Sequence, residues 1–346
     1  MNVLFIGGTG IISRACVELA LARGMDVTLL NRGSREPVVG ARSIRGDIAD
    51  PALARVLRER HWDAVVDFIA FQAQDIGQRL TLFGERSAQY IFISSASVYQ
   101  KPPRHYLITE STPLINPYWD YARHKIACED ALTLAHRESG FPITIVRPSY
   151  TYDRTLVPLA VNAWGKTFTV VDRMRRGLPV IVPGDGLSLW TMTHSRDFAR
   201  GLVGLLGHRA AIGHAFHITS DEVLTWDQIY RAVADAAGVA TPNLVHIASE
   251  FITLGLPEAA GSLLGDKSNC CVFDNTKIKR FVPDYVAGTR FSDGIAETIA
   301  WFDENPSRQL LDEQASARWD ALLAAYDLGR QAAERTRISR PARLGA

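Results

Sequence analysis

Neither sign of charge is in excess in this chain. Its 346 residues hold 38 Lys and Arg against 37 Asp and Glu, a formal net charge of +1. The basic footprint on which nucleic-acid binding and adhesion to anionic membranes usually rest is therefore missing. Cysteine is scarce as well. The four thiols, Cys16, Cys128, Cys270 and Cys271, show no metal-ligand spacing, and the nine histidines form no His-x-x-x-His pair. Adjacent cysteines such as Cys270 and Cys271 rarely bridge each other, so neither a disulfide framework nor a metal site is expected. No apolar run reaches membrane-spanning length, no basic and apolar leader opens the chain, and no repeat or low-complexity tract is visible. A cytoplasmic protein without a membrane partner is expected. What remains is ordinary globular composition, 47% hydrophobic and 22% charged, in a chain long enough for one large domain or two coupled ones.

Against that background the glycines near the start stand out. Gly7, Gly8 and Gly10 lie between an apolar stretch at residues 3–6 and a helix beginning near Ile12. Residues without a Cβ let the chain bend sharply and approach a pyrophosphate, whose charge then sits at a helix N-terminus. The helix runs to about Arg23, ahead of Gly24, and a second strand follows at 26–30, so the turn sits in a βαβ context. Dinucleotide binding is expected there, although the third glycine of the usual fingerprint is Ser13.

Further apolar stretches at 27–30, 64–69, 90–94 and 143–146 alternate with segments able to form crossover helices, among them 50–60, 72–83 and 119–139. That alternation predicts an α/β fold, a Rossmann-type doubly wound parallel sheet. After Arg147-Pro148 the pattern loosens into a smaller mixed substrate lobe. We divide the chain into a dinucleotide-binding domain at 1–150, a substrate lobe at 151–330 interleaved with the last sheet strands, and a tail at 331–346, frayed or docked on the surface.

In the longest helical segment Tyr121 and Lys125 stand four residues apart, on one face. An ammonium near a phenol favours phenolate, which would let Tyr121 take or give a proton. The strand at 90–94 runs into Ser94-Ser95-Ala96-Ser97, which sets Ser95 at the carboxyl edge where α/β ligands bind. His194 is a candidate second acid/base or substrate contact, because its ordinary pKa lies near neutrality.

The glycine turn, the serine strand end and the Tyr-x-x-x-Lys pair, in this order, resemble the extended short-chain dehydrogenase/reductase family, in its nucleotide-sugar epimerase and dehydratase branch, over roughly residues 1–302. The chain also resembles that branch's chloroplast stem-loop RNA-binding relatives. The resemblance implies a hydride passing between a substrate carbinol and a nicotinamide. Tyr121 would be the acid/base, Lys125 would hold the ribose hydroxyls, and Ser95 would orient the substrate oxygen. Gly7, Gly10, Ile11, Ile12, Asp47, Ile48 and Ala70 would line the cofactor, with Asp47 near the adenine. At the end of the second strand Asn31 and Arg32 replace the carboxylate that would repel a 2′-phosphate. That favours NADP(H) over NAD, with NAD open.

The chain departs from the branch where dehydratases carry an acidic pair, here Ala96 and Ser97, and where diphosphate contacts are usual, here Tyr150 and Trp190. Ser97, Tyr150, Trp190 and His194 are therefore expected to line a substrate site with an aromatic character, and Arg173, Arg175 and Arg176 are the remaining candidates for an anion site. The implied activity is an NAD(P)-dependent oxidoreductase of the epimerase/dehydratase type acting on a sugar or sugar-like polyol, most simply an epimerase. A ketoreductase is the enzymatic alternative and an RNA-binding protein on the same scaffold the alternative of another class. A small-molecule substrate is expected, nucleic acid is not, and a homodimer is allowed.

Overall fold

In the computed structural model, residues 1–336 are described. Of the tail, 331–335 continue the helix Glu313–Arg335, and 337–346 lie outside the described residues. Seven strands form the central sheet: β1 (Asn2–Ile6), β2 (Asp26–Asn31), β3 (Arg42–Arg45), β4 (Ala64–Asp67), β5 (Tyr90–Ile93), β6 (Ile143–Pro148) and β7 (Ala215–Ile218). All pairings are parallel, in the order β3-β2-β1-β4-β5-β6-β7. The chain winds outward to β3 and then returns to the other side of β1. A crevice therefore opens between the carboxyl ends of β1 and β4.

Both faces of the sheet are covered, which is why its strands read as unbroken apolar runs rather than alternating ones. Val3 and Phe5 pack with Cys16, Val17 and Ala20 of α1 (Ser13–Ala22), and the same layer takes Phe198 and Leu202 from Ser195–Leu205. Leu4 and Ile6 face the opposite layer, built from α2 (Pro51–Arg58), α3 (Ala73–Phe83) and α4 (Asp120–Ser139). Gly140 ends α4 in the left-handed region at φ 71, returning its N–H to His136 O. The expected strand at 64–69 stops at Asp67 because that carboxylate accepts the N–H groups of Ile69 and Ala70 at 2.8 and 3.0 Å and turns the chain.

A third apolar cluster gathers Trp190, Trp226, Tyr230, Leu263, Phe291 and Trp319 from the segments after β6. The chain leaves the sheet through Tyr150–Tyr152 and comes back through Met192–His194, which pair side by side in parallel. Among the described residues no helix is long and apolar enough to cross a membrane.

Candidate active site

The three glycines of the first turn do different work. Gly7 has φ +85, and a Cβ there would stand 2.5 Å from the Ile69 side chain; one at Gly8 would stand 2.6 Å from Leu29. Those two are required by the fold itself. At Gly10 the nearest atoms to a Cβ are Ser13 Oγ at 3.3 Å and an Arg35 nitrogen at 3.7 Å, so the turn alone does not demand glycine there. Ser13, in place of the third glycine, staples the turn: its hydroxyl accepts from Gly10 N–H at 2.7 Å and donates to Gly7 O at 2.8 Å.

This turn forms one wall of a cleft of about 740 Å³, lined also by Ile11, Ile12, Asn31, Arg32, Asp47 and Ile48. Asn31 accepts from Gly33 N–H and Asp47 from Ala49 N–H, which orients both side chains at strand ends. Arg32 is exposed and, among the described residues, has no hydrogen bond or ion pair. Arg35, unnoticed in the sequence, lies beside it and donates to Thr9 O at 3.0 Å. Ala70 is buried and does not line the cleft; its neighbours Ile69 and Phe71 do.

Ala70 contributes a carbonyl instead. Lys125 is 1% exposed, and its ammonium donates to Ala70 O and Ile93 O, both at 2.8 Å, with the rings of Phe71 and Phe92 at 4.5 and 4.8 Å. Burial lowers its pKa to about 8, against the pull of Asp67. The loop holding Ala70 is anchored by Asp67, whose other oxygen receives Arg79 and Tyr90 at 2.8 and 2.9 Å. Sequence reading missed this buried carboxylate, which looks like one more strand-end residue until Lys125 is seen to depend on it.

A second pocket of about 380 Å³ adjoins the first, sharing Ile11 and Ile12, and is lined by Ser95, Ser97, Tyr121 and Tyr150. Ser95 follows a strand end held by Ser94, whose hydroxyl donates to Glu129 at 2.5 Å, while Glu129 pairs with the buried Arg147. The Ser95 hydroxyl lies 2.9 Å from that of Ser97. Tyr121 packs on Trp119 with ring centroids 4.9 Å apart. Its phenol is pushed up by burial, and hydrogen bonding with Ser95 pulls it the other way. The expected lowering by Lys125 is corrected: that ammonium is turned to two main-chain carbonyls and is not what tunes the phenol.

Two expected substrate contacts are also corrected. Trp190 is 1% exposed and stacks on Trp226 with centroids 5.2 Å apart, inside the lobe core and away from the pocket wall. His194 caps the helix Ser195–Leu205, its Nδ1 accepting from Arg196 N–H at 3.2 Å, and its ring packs edge-on against Tyr152. Burial lowers its pKa, and it lines neither cavity. Arg173 is buried against Pro179, Ser316 and Asp320, Arg175 pairs with Asp303 and Arg176 with Asp172, so none of the three faces the pocket. Tyr150 does line it, although its hydroxyl is turned to Leu159 O. The pocket also takes Trp119, Trp164, Asp266 and Lys267, and no local spacing in the sequence signals that these residues meet.

The model of the NAD dependent epimerase/dehydratase family matches residues 3–219. The chain is 25% identical to the 2'-dehydrokanamycin reductase of Streptomyces kanamyceticus, covering 82% of this chain and 80% of that one. It is 26% identical to a dTDP-glucose 4,6-dehydratase of Streptomyces niveus (88% and 94% covered) and to the chloroplast stem-loop binding protein of 41 kDa b of Arabidopsis thaliana (75% and 69%). Among solved structures, UDP-glucuronic acid 4-epimerase from Bacillus cereus, in complex with UDP-glucuronic acid and NAD, superposes with a TM-score of 0.70 at 19% identity over 88% of this chain and 99% of that one. That likeness shows the fold.

Proposed function

Because the chain belongs to the NAD-dependent epimerase/dehydratase family of sugar-modifying enzymes, we propose that it transfers hydride reversibly at a secondary alcohol of a sugar or sugar-like polyol, with epimerisation as the net reaction. The observation that carries this reading is that Ser95 and Tyr121 line a pocket that adjoins, at Ile11 and Ile12, the cleft beneath the glycine turn. The cleft fits a dinucleotide: Gly10 is bare where the turn does not require it, and Asp47 is among the residues that line it. A bound nicotinamide supplies the hydride acceptor and donor. Tyr121 moves the carbinol proton, Ser95 holds that oxygen, and Lys125 has one N–H left for a ribose hydroxyl after its two carbonyls. Elimination of water is not proposed, since Ala96 and Ser97 offer no carboxylate as acid or base. An RNA-binding role is set aside on the net charge of +1.

Net reduction of a ketone by NADPH is a second reading, favoured by two observations. Burial keeps Tyr121 protonated, the form that donates to a developing alkoxide, and Arg32 stands free beside Asn31 where a carboxylate would repel a 2′-phosphate. Product analysis with sugars and keto sugars separates the two. Epimerisation gives an inverted product with no net change in the cofactor, whereas reduction consumes one reduced cofactor per product; binding of cofactor with neither outcome rejects both.

Two further expectations concern the cofactor. Arg32→Ala should weaken NADP(H) about ten- to hundredfold, the range for a charged hydrogen bond, and leave NAD(H) nearly unchanged. Fluorescence titration checks this, and equal effects on both would return NAD to first place. For Lys125 the ammonium is the binding form, and it is lost as pH rises through about 8. Cofactor affinity should thus fall above that point and level off after about a ten- to hundredfold loss, the range for one charged hydrogen bond, and be flat in Lys125→Met; a wild-type affinity independent of pH would take Lys125 out of cofactor binding.

A further inference from the structure

Lys267 is a charge without a visible purpose. It is 4% exposed, yet its ammonium has no hydrogen-bond acceptor among the described residues and lies in the substrate pocket. Three rings surround it instead, Tyr150 at 5.1 Å, Trp119 at 5.7 Å and Trp164 at 5.9 Å. The adjacent carboxylate, Asp266, is taken by Lys101 at 3.4 Å. The carboxylate nearest two buried lysines thus pairs with Lys101, whose ammonium also donates to Cys271 Sγ at 3.0 Å, and Lys267 is left without a partner of its own among the described residues. Aromatic faces offset part of the desolvation of such a cation, but a buried charge normally has a counter-ion as well.

The arrangement is built rather than accidental. Lys267 ends a π-helical turn at Leu263–Lys267, a rare geometry frequent at functional sites. A Cβ at Gly261 or Gly265 would stand 2.3 or 2.9 Å from Trp119, so both glycines make the seat on which Trp119, and with it the ring cage, rests. Asn116 ties this turn to the serine loop, donating to Gly265 O at 2.7 Å and Ser97 O at 2.8 Å.

We propose that Lys267 is the specificity-determining cation of the pocket, binding an oxyanion, carboxylate or phosphate, carried by the polyol substrate while the surrounding rings cover its apolar face. This rests on the hydride-transfer reading for the rest of the ligand. It makes the substrate a sugar acid or sugar phosphate rather than a neutral sugar.

The test uses calorimetric titration of the full chain, saturated with NADP⁺ so that the dinucleotide cleft contributes no anion site. The probes are glucuronate, a glucose phosphate, neutral glucose, and inorganic phosphate as a sugar-free oxyanion. Wild type should bind at least one charged sugar about ten- to hundredfold more tightly than glucose, and comparison of the two charged sugars identifies the preferred oxyanion. Lys267→Met should abolish the difference with cofactor affinity and circular dichroism unchanged, and Lys267→Arg should restore part of it. Tyr121→Phe should retain it. Charged sugars that bind no better than glucose, or that bind Lys267→Met as well as wild type, overturn the inference. Turnover separates it from the underlying reading: oxyanion binding through Lys267 without hydride transfer to any polyol upholds the site and rejects the enzyme reading. Hydride transfer to polyols in which charged and neutral sugars turn over alike, and Lys267→Met changes neither, does the reverse.

Discussion

Replacing Tyr121 with Phe is expected to lower turnover by roughly two to four orders of magnitude, the range for losing general acid/base help, with cofactor affinity nearly unchanged. The expectation rests on what the hydroxyl does and what the ring does. The ring packs on Trp119 at 4.9 Å and against Phe71 at 6.4 Å, and Phe preserves both contacts, so the fold and the edge of the cofactor cleft should survive. The hydroxyl is the group beside Ser95 in the pocket; of the other titratable side chains lining it, Asp266 is paired with Lys101, Tyr150 turns its hydroxyl to Leu159 O, and Lys267 stands among the rings. Steady-state rates with circular dichroism and cofactor titration on the same samples decide. Turnover within a few-fold of wild type would remove Tyr121 from the mechanism.

Gly10→Val should abolish cofactor binding over the accessible concentration range while the protein remains folded. Space inside the fold permits the substitution, since Ser13 Oγ at 3.3 Å needs to give by only a few tenths of an ångström, and the two added methyl groups then occupy the cleft where a pyrophosphate approaches the backbone. The contrast with Gly8→Val sharpens the expectation. There a Cβ meets Leu29, Val17 and Phe5 at 2.6, 3.1 and 3.2 Å, so the loss should appear as reduced thermal stability before any effect on binding is read. Unchanged affinity in folded Gly10→Val would make the turn a structural connection only.

The parts of this molecule that were legible from its sequence are those set by short-range pattern. Leu4 and Phe5 belong to opposite layers, and only a strand covered on both faces gives such a run. Tyr121 and Lys125 share a helix face because they are four apart, and Gly7 and Gly10 bracket a turn between a strand and a helix. What was not legible depends on residues distant in the chain. Burial raises the Tyr121 phenol, and Lys125 does not offset it because its ammonium is turned to carbonyls at residues 70 and 93. Counting along the chain to Trp190 and His194 identified the segment but not which way each side chain faces. One is drawn into the lobe core by Trp226, and the other is held at a helix end by Arg196 N–H. Lys267 carried no signal in its own neighbourhood, since its cage is assembled from residues 119, 150 and 164.

Deuterium tracing puts the central claim to its most direct test. Wild-type protein and Tyr121→Phe are incubated with reduced nicotinamide cofactor deuterated at the transferable position and with a panel of neutral, carboxylated and phosphorylated keto sugars, and the sugars are analysed by mass spectrometry. Hydride transfer at a secondary carbinol predicts one deuterium on a carbinol carbon of at least one sugar with wild type, and strongly reduced labelling with Tyr121→Phe at equal time. Label that stays on the cofactor across the panel, or reaches the sugar equally in both proteins, would contradict it.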